Sequence, residues 1–309
     1  MVNLDPRAKA YLDVFYQMPL LQTMEPQAVR DMFAQAPVPE IKLEPLAKIE
    51  DRLIPVEEDV EIPIRIYTPE GEGPFPLFVY YHGGGWVIGD LETADASCRM
   101  IANRTGRIVV SVDYRLAPEY KFPIPVNDSY AALQWVSQNA SSINGNASSI
   151  AVGGDSAGGN LSAVVSMISR DQNGPEISAQ ILIYPVTSLG YDTGSYQQFA
   201  EGFGLDRDLM IWFGDYYIRG QEDTKNVYAA PLLAEDLSNL PPAYVITAEN
   251  DVLRDEGQAY ARRLKEAGVV VQATCEEGLV HGYFTNMAAF PERIEGTISK
   301  IAQFLSEIK

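Results

Sequence analysis

The sequence predicts an α/β fold: a mostly parallel central sheet flanked by helices on both faces, with a helical cap added to it. Three observations carry this. From about residue 77, short apolar runs alternate with stretches of helical period, as successive strand–helix–strand units require. The run Leu77–Tyr81 is apolar without alternation, as in a strand covered on both faces. Between the β-branched Ile150–Val152 and the helical stripe Leu161, Val164, Val165, Ile168 stands Gly154-Asp155-Ser156-Ala157-Gly158, a glycine-flanked serine on a sharp strand-to-helix turn.

Each element has its own signal. Residues 1–45 are helical in character but broken by Pro19, Pro26, Pro37, Pro39 and Pro45; they read as an N-terminal decoration or as the N-terminal part of a helical cap. Val14, Met18 and Leu21 can share a helix face, and Pro26 suits the first turn of a helix through Val29 and Phe33. Residues 46–186 then form the first part of the main α/β domain. Val60–Tyr67 alternates like a half-exposed antiparallel strand, with Pro63 placing it near an edge. Gly71-Glu72-Gly73-Pro74 is a turn, Ile108–Val112 a strand, and Asp128 the expected cap of a helix carrying Ala132, Trp135 and Val136. Ile177–Tyr184 is a further strand. Residues 187–226 interrupt the alternation with glycines and an aromatic helix from Asp206 through Ile218, and read as a cap insertion. Residues 227–309 complete the main α/β domain: strand Ala243–Ala248, a helix opening on a capping box at Asp255 and Gln258 and ending at Gly268, a last strand Val269–Ala273, and a final helix with Ile294, Ile298, Ile301, Leu305 and Ile308 on one stripe.

Composition narrows the function classes. A chain of 309 residues, 46% hydrophobic, can bury a large core. The 2 cysteines, Cys98 and Cys275, form no disulfide framework and read as buried free thiols of a reducing compartment. A formal charge of −19 repels nucleic acid and anionic membrane and favours a neutral small-molecule substrate. With no apolar stretch of membrane length and no basic N-terminal region, a cytoplasmic protein is expected. Val269–Ala273 is a candidate edge for pairing with a second copy as a homodimer.

The chemistry converges on Ser156. A serine hydroxyl is a poor nucleophile at neutral pH and needs a base, itself oriented by an acid. Only 2 histidines exist. His82 opens His82-Gly83-Gly84-Gly85 directly after the buried run, where free backbone N–H groups can face a developing negative oxygen. Gly83 and Gly84, with Ala157 at the start of the next helix, are the expected donors, and His82 is expected to prop the loop. His281 then remains as the base. Asp251, first after the strand Ala243–Ala248, is the expected acid, with Glu249 as fallback. Trp86, Val87, Phe203, Leu205, Trp212 and Phe213 are candidate pocket walls. No metal-ligand spacing is present, so neither metal nor organic cofactor is expected.

These stretches resemble the hormone-sensitive-lipase-like family of α/β-hydrolases, in its bacterial esterase branch. The likeness lies in Tyr81-His82-Gly83-Gly84-Gly85-Trp86, Asp113–Glu119, Gly154–Gly159, Asp251–Gly257 and His281-Gly282-Tyr283, from about residue 77 to 285. It implies the α/β-hydrolase fold and a carboxylesterase acting on short to medium acyl chains through an acyl-enzyme. Other acyl hydrolases (amidase, lactonase, thioesterase) use the same triad, and a non-catalytic ligand-binding protein of this fold, as in plant gibberellin receptors, is expected to have lost the histidine. The chain departs from the family at Asn250, commonly aromatic, and at Val252, commonly proline. Arg115 and Glu119 are expected to pair as a brace beneath the glycine loop.

Overall fold

The chain is seen in a computed structural model that describes residues 2–37 and 40–308. Pro39, one of the expected breaks, lies outside the described residues. The strands are β1 (Lys48–Glu57), β2 (Val60–Thr68), β3 (Phe75–Tyr81), β4 (Ile108–Val112), β5 (Gly145–Asp155), β6 (Ala179–Ile183), β7 (Ala243–Asn250) and β8 (Val271–Val280). The helices are α1 (Pro6–Phe15), α2 (Pro26–Gln35), α3 (Asp95–Thr105), α4 (Ile124–Asn139), α5 (Ala157–Asp171), α6 (Gly194–Gln198), α7 (Arg207–Tyr217), α8 (Arg254–Glu266) and α9 (Pro291–Glu307).

They build one 8-stranded sheet in the order β1-β2-β4-β3-β5-β6-β7-β8. β2 pairs antiparallel with β1 and with β4, and every pair from β4 onward is parallel. The pleat sorts the apolar runs between two cores. Leu77, Val79 and Tyr81 of β3 pack with residues of α4 and α5, whereas Phe78 and Tyr80 pack with α3 and α9. That explains why Leu77–Tyr81 shows no alternation: both faces of the strand are covered.

Local expectations fail where a tertiary partner outbids the pattern. In α1, Ala8 and Leu12 are the buried positions and Val14 is 65% exposed, so the Val14–Met18–Leu21 stripe does not form; the helix ends at Phe15. α2, by contrast, opens at Pro26 and runs through Val29 and Phe33 as expected, with Val29 buried and Phe33 exposed. Asp128 caps nothing: α4 begins at Ile124, and the fully buried Asp128 carboxylate accepts from the Arg115 backbone N–H and guanidinium. α8 begins after Leu253 without a side-chain cap, because Asp255 accepts from Ser195 N–H instead, at 2.7 Å. The last strand runs from Val271 to Val280, well past the expected end at Ala273. Cys98 is buried as expected; Cys275 is exposed. Residues 187–226 hold α6 and α7 and, among the described residues, no strand. No helix among the described residues is long and apolar enough to cross a membrane.

Candidate active site

β5 delivers Ser156 in a left-handed backbone conformation (φ 57°, ψ −118°), and α5 begins at the next residue. Ser156 N–H donates to Ile183 O at 2.8 Å, which pins the turn to β6. The flanking glycines are a matter of room. A Cβ on Gly154 would lie 2.2 Å from Tyr81 O, and one on Gly158 only 1.8 Å from the same atom. The last carbonyl of β3 occupies the space that side chains would need.

β7 and β8 supply the other two groups from neighbouring strand ends. Asn250 stands opposite Val280 in their register, so Asp251 and His281, each the next residue, leave the sheet side by side. His281 Nδ1 lies 2.7 Å from Asp251 Oδ2, and His281 Nε2 lies 2.9 Å from Ser156 Oγ. A carboxylate accepts only, so Nδ1 carries the proton and the bare Nε2 can accept from the hydroxyl. The other carboxylate oxygen, Oδ1, accepts from Leu253 N–H at 2.9 Å, and Asp251 is almost fully buried. Tyr184, which no sequence signal marked, tilts its ring against the His281 imidazole at 4.4 Å. The fallback acid Glu249 is turned elsewhere, accepting from Gly278 N–H at 2.7 Å and from Asn3 Nδ2 at 3.1 Å. Asn250 donates to Asn3 O at 2.7 Å, and Val252 O accepts from Ser195 Oγ at 2.6 Å.

The glycine loop needs one correction. Gly83 cannot offer its N–H to a substrate oxygen, because it donates to Asp155 Oδ1 at 3.0 Å. That oxygen also accepts from Tyr80 Oη at 2.7 Å, and burial raises the Asp155 pKa against these bonds. Among the described residues, Gly84, Gly85 and Ala157 N–H have no acceptor within the chain, whereas Gly83 N–H has one. Asp155 sits inside the serine motif and could have been suspected on that ground; Tyr80, within an apolar run, carried no signal. His82 is fully buried, and its Nδ1 lies 2.7 Å from Gly83 O. Desolvation lowers its pKa to about 4, leaving a neutral ring stacked on Tyr114, whose hydroxyl donates to His82 O at 2.7 Å. The histidine thus props the loop.

The wall residues divide. Trp86 and Val87 are fully buried; the Trp86 indole stacks on Tyr217 at 4.0 Å, and both residues pack the core behind the loop instead of lining a pocket. Phe213 presses on Gly85, where a Cβ would fall 2.2 Å from its ring. Leu205 is buried in the same cluster, with Phe203 and Trp212 partly buried against it. The expected Arg115–Glu119 pair is absent. Arg115 is drawn to the buried Asp128 and to Glu57, while Glu119 pairs with Arg30. Among the described residues, no group of three or more histidine, cysteine, aspartate or glutamate side chains could hold a metal ion.

Comparison with known proteins gives the family. A family model for the alpha/beta hydrolase fold matches residues 78–285. The chain is 41% identical over 301 residues to the carboxylesterase NlhH of Mycobacterium tuberculosis, covering 96% of this chain and 93% of that one. It is 40% identical over 287 residues to an arylesterase of Saccharolobus solfataricus, covering 91% and 92%. Among solved structures, a hyperthermophilic esterase from Pyrobaculum calidifontis superposes with a TM-score of 0.90 at 40% identity, covering 98% of each chain.

Proposed function

Since this chain belongs to the α/β-hydrolase family, in its hormone-sensitive-lipase-like branch, we propose that it hydrolyses esters of short- to medium-chain acyl groups through Ser156, His281 and Asp251. It is a carboxylic ester hydrolase, and a small-molecule ester is its substrate. The observation that carries the mechanism is the unbroken line of hydrogen bonds from Asp251 through His281 to Ser156.

His281 Nε2 takes the Ser156 proton as Oγ attacks the ester carbonyl carbon. The N–H groups of Gly84, Gly85 and Ala157 hold the oxygen on which negative charge gathers, supported by the N-terminal end of α5. Asp251 keeps the imidazole in the working tautomer and balances its charge once it is protonated. The same proton passes to the leaving alcohol. Water, activated by His281, then hydrolyses the acyl-enzyme and frees Ser156.

Residues 1–45 and 187–226 act as the cap over the site, with Phe203, Leu205, Trp212 and Phe213 bounding the acyl chain. The placement of Phe213 against Gly85 supports this. Free thiols fit a cytoplasmic location. β8, at the end of the sheet, is where two copies would join as a homodimer.

The test is hydrolysis of p-nitrophenyl esters from acetate to palmitate, beside the matching amide, thioester and lactone. Turnover should peak at short to medium acyl length, and Ser156→Ala should lower it by about 10⁴-fold or more. Wild-type turnover in the variant refutes the triad; a preference for palmitate or for the amide refutes the substrate class.

A further inference from the structure

We propose that Arg30, on α2, is a positioning residue for ester hydrolysis: it fixes the outer half of the glycine loop and so aims the Gly84 and Gly85 N–H groups. The inference rests on the reading of those groups as donors to the substrate oxygen.

The two halves of the loop are held differently. The inner half, His82–Gly83, is tied to the sheet domain by Asp155 and by Tyr114. The outer half turns at Gly84, whose carbonyl accepts from Val87 and Ile88 N–H at 3.1 and 3.0 Å. Its further polar ties run outward: Trp86 O accepts from Ala117 N–H at 2.9 Å, and Val87 O accepts from Arg30 Nε at 2.8 Å. The same guanidinium donates to Ala117 O at 2.6 Å and, through both terminal nitrogens, to the Glu119 carboxylate at 2.9 Å each. Arg30 therefore clamps together the backbone segments at Val87 and Ala117 that face each other beside the loop. Gly84 (φ 102°) and Gly85 (φ 59°) have no side chains to lock them, so their orientation is set by what holds their neighbours.

The geometry needs arginine. A planar fork can serve two carbonyls and a carboxylate at once, whereas a lysine ammonium is a point charge on a flexible stem. The consequence is kinetic, because an oxyanion donor acts only when it is already aimed, and a misplacement of 1 Å at such a site can cost about 10²-fold. The separation in sequence, 57 residues from Val87 and 89 from Glu119, explains why no local pattern reveals the clamp.

The test compares Arg30→Met and Arg30→Lys with wild type and with Ser156→Ala, on p-nitrophenyl butyrate. Affinity for a trifluoromethyl ketone, whose serine adduct carries an oxyanion, is measured alongside. Arg30→Met should lower kcat by about 10- to 100-fold with KM within about threefold, and should weaken the ketone by the same factor. The acid limb of the pH–rate profile should not move, because the triad is untouched. Arg30→Lys should recover only part of the loss, and should Arg30→Met fail to fold, the lysine variant decides alone. Wild-type kcat and ketone affinity in the folded variant, or a rise in KM only, overturns the proposal and leaves Arg30 as a tie between α2 and the body. Should Ser156→Ala keep its turnover, the triad reading itself falls; if it is dead while the Arg30 variants match wild type, only the clamp falls.

Discussion

Asp251→Asn is the substitution whose outcome the geometry constrains most tightly. The two carboxylate oxygens have different duties: Oδ2 faces His281 Nδ1 at 2.7 Å, and Oδ1 accepts from Leu253 N–H at 2.9 Å. Both demand an acceptor. An asparagine amide has one acceptor oxygen and one donor nitrogen, and neither orientation satisfies both partners. If the oxygen stays on Leu253, the amide NH₂ faces Nδ1. The imidazole must then carry its proton on Nε2, where it can no longer accept from Ser156. If the amide flips, its NH₂ points at Leu253 N–H, leaving two buried donors in conflict at a cost of about 1–3 kcal/mol. The first arrangement is favoured, and it holds the base in the wrong tautomer. The expected loss is about 10³- to 10⁴-fold in kcat near pH 7, equivalent to about 4–5.5 kcal/mol of barrier. KM should stay within a few-fold, since the acid touches no substrate. The assay is steady-state hydrolysis of p-nitrophenyl butyrate, with circular dichroism to show that the fold is kept. A folded variant with kcat within tenfold of wild type would refute the reasoning.

Two further perturbations test the scaffold. Gly158→Ala puts a methyl 1.8 Å from Tyr81 O, a backbone atom that cannot move without breaking β3, so it should cost at least about 4 kcal/mol or prevent folding. Gly296→Ala in α9 meets nothing within 4 Å and should stabilise by about 0.5–1 kcal/mol, so thermal melts should move in opposite directions. Glu256 tests pH dependence. Desolvation, the largest cause, raises its pKa to about 8, and the nearby charge of Asp251 adds to this against the N–H bonds from Thr187 and Ser188. A raised folded pKa means that the folded state holds the proton more tightly, so its contribution is full below pH 4.5 and is lost as pH rises through 8. Glu256→Gln keeps the acceptor for both N–H groups but cannot ionise. The stability of wild type relative to the variant should therefore fall by on the order of 4 kcal/mol between pH 4.5 and 9, measured by urea titration across that range. Parallel pH curves for the two proteins would show that the raised pKa is absent.

The sequence by itself determined what periodicity and local backbone chemistry report. The unalternating run Leu77–Tyr81 announced a strand with two covered faces, because a core on each side leaves no polar position. The glycines around Ser156 announced the elbow, since the turn excludes side chains wherever it is built. Elimination among so few histidines, together with strand-end placement, brought His281 and Asp251 to the hydroxyl. Only the tertiary structure decided which polar group meets which. Arg115 chose the buried Asp128 over Glu119, Glu119 received Arg30 from a distant helix, and Gly83 gave its N–H to Asp155. The physical reason is one of range. Burial patterns and glycine conformations are properties of a few consecutive residues, whereas a hydrogen bond is chosen among all donors and acceptors that folding brings within about 3 Å, and chain separation carries no information about that distance.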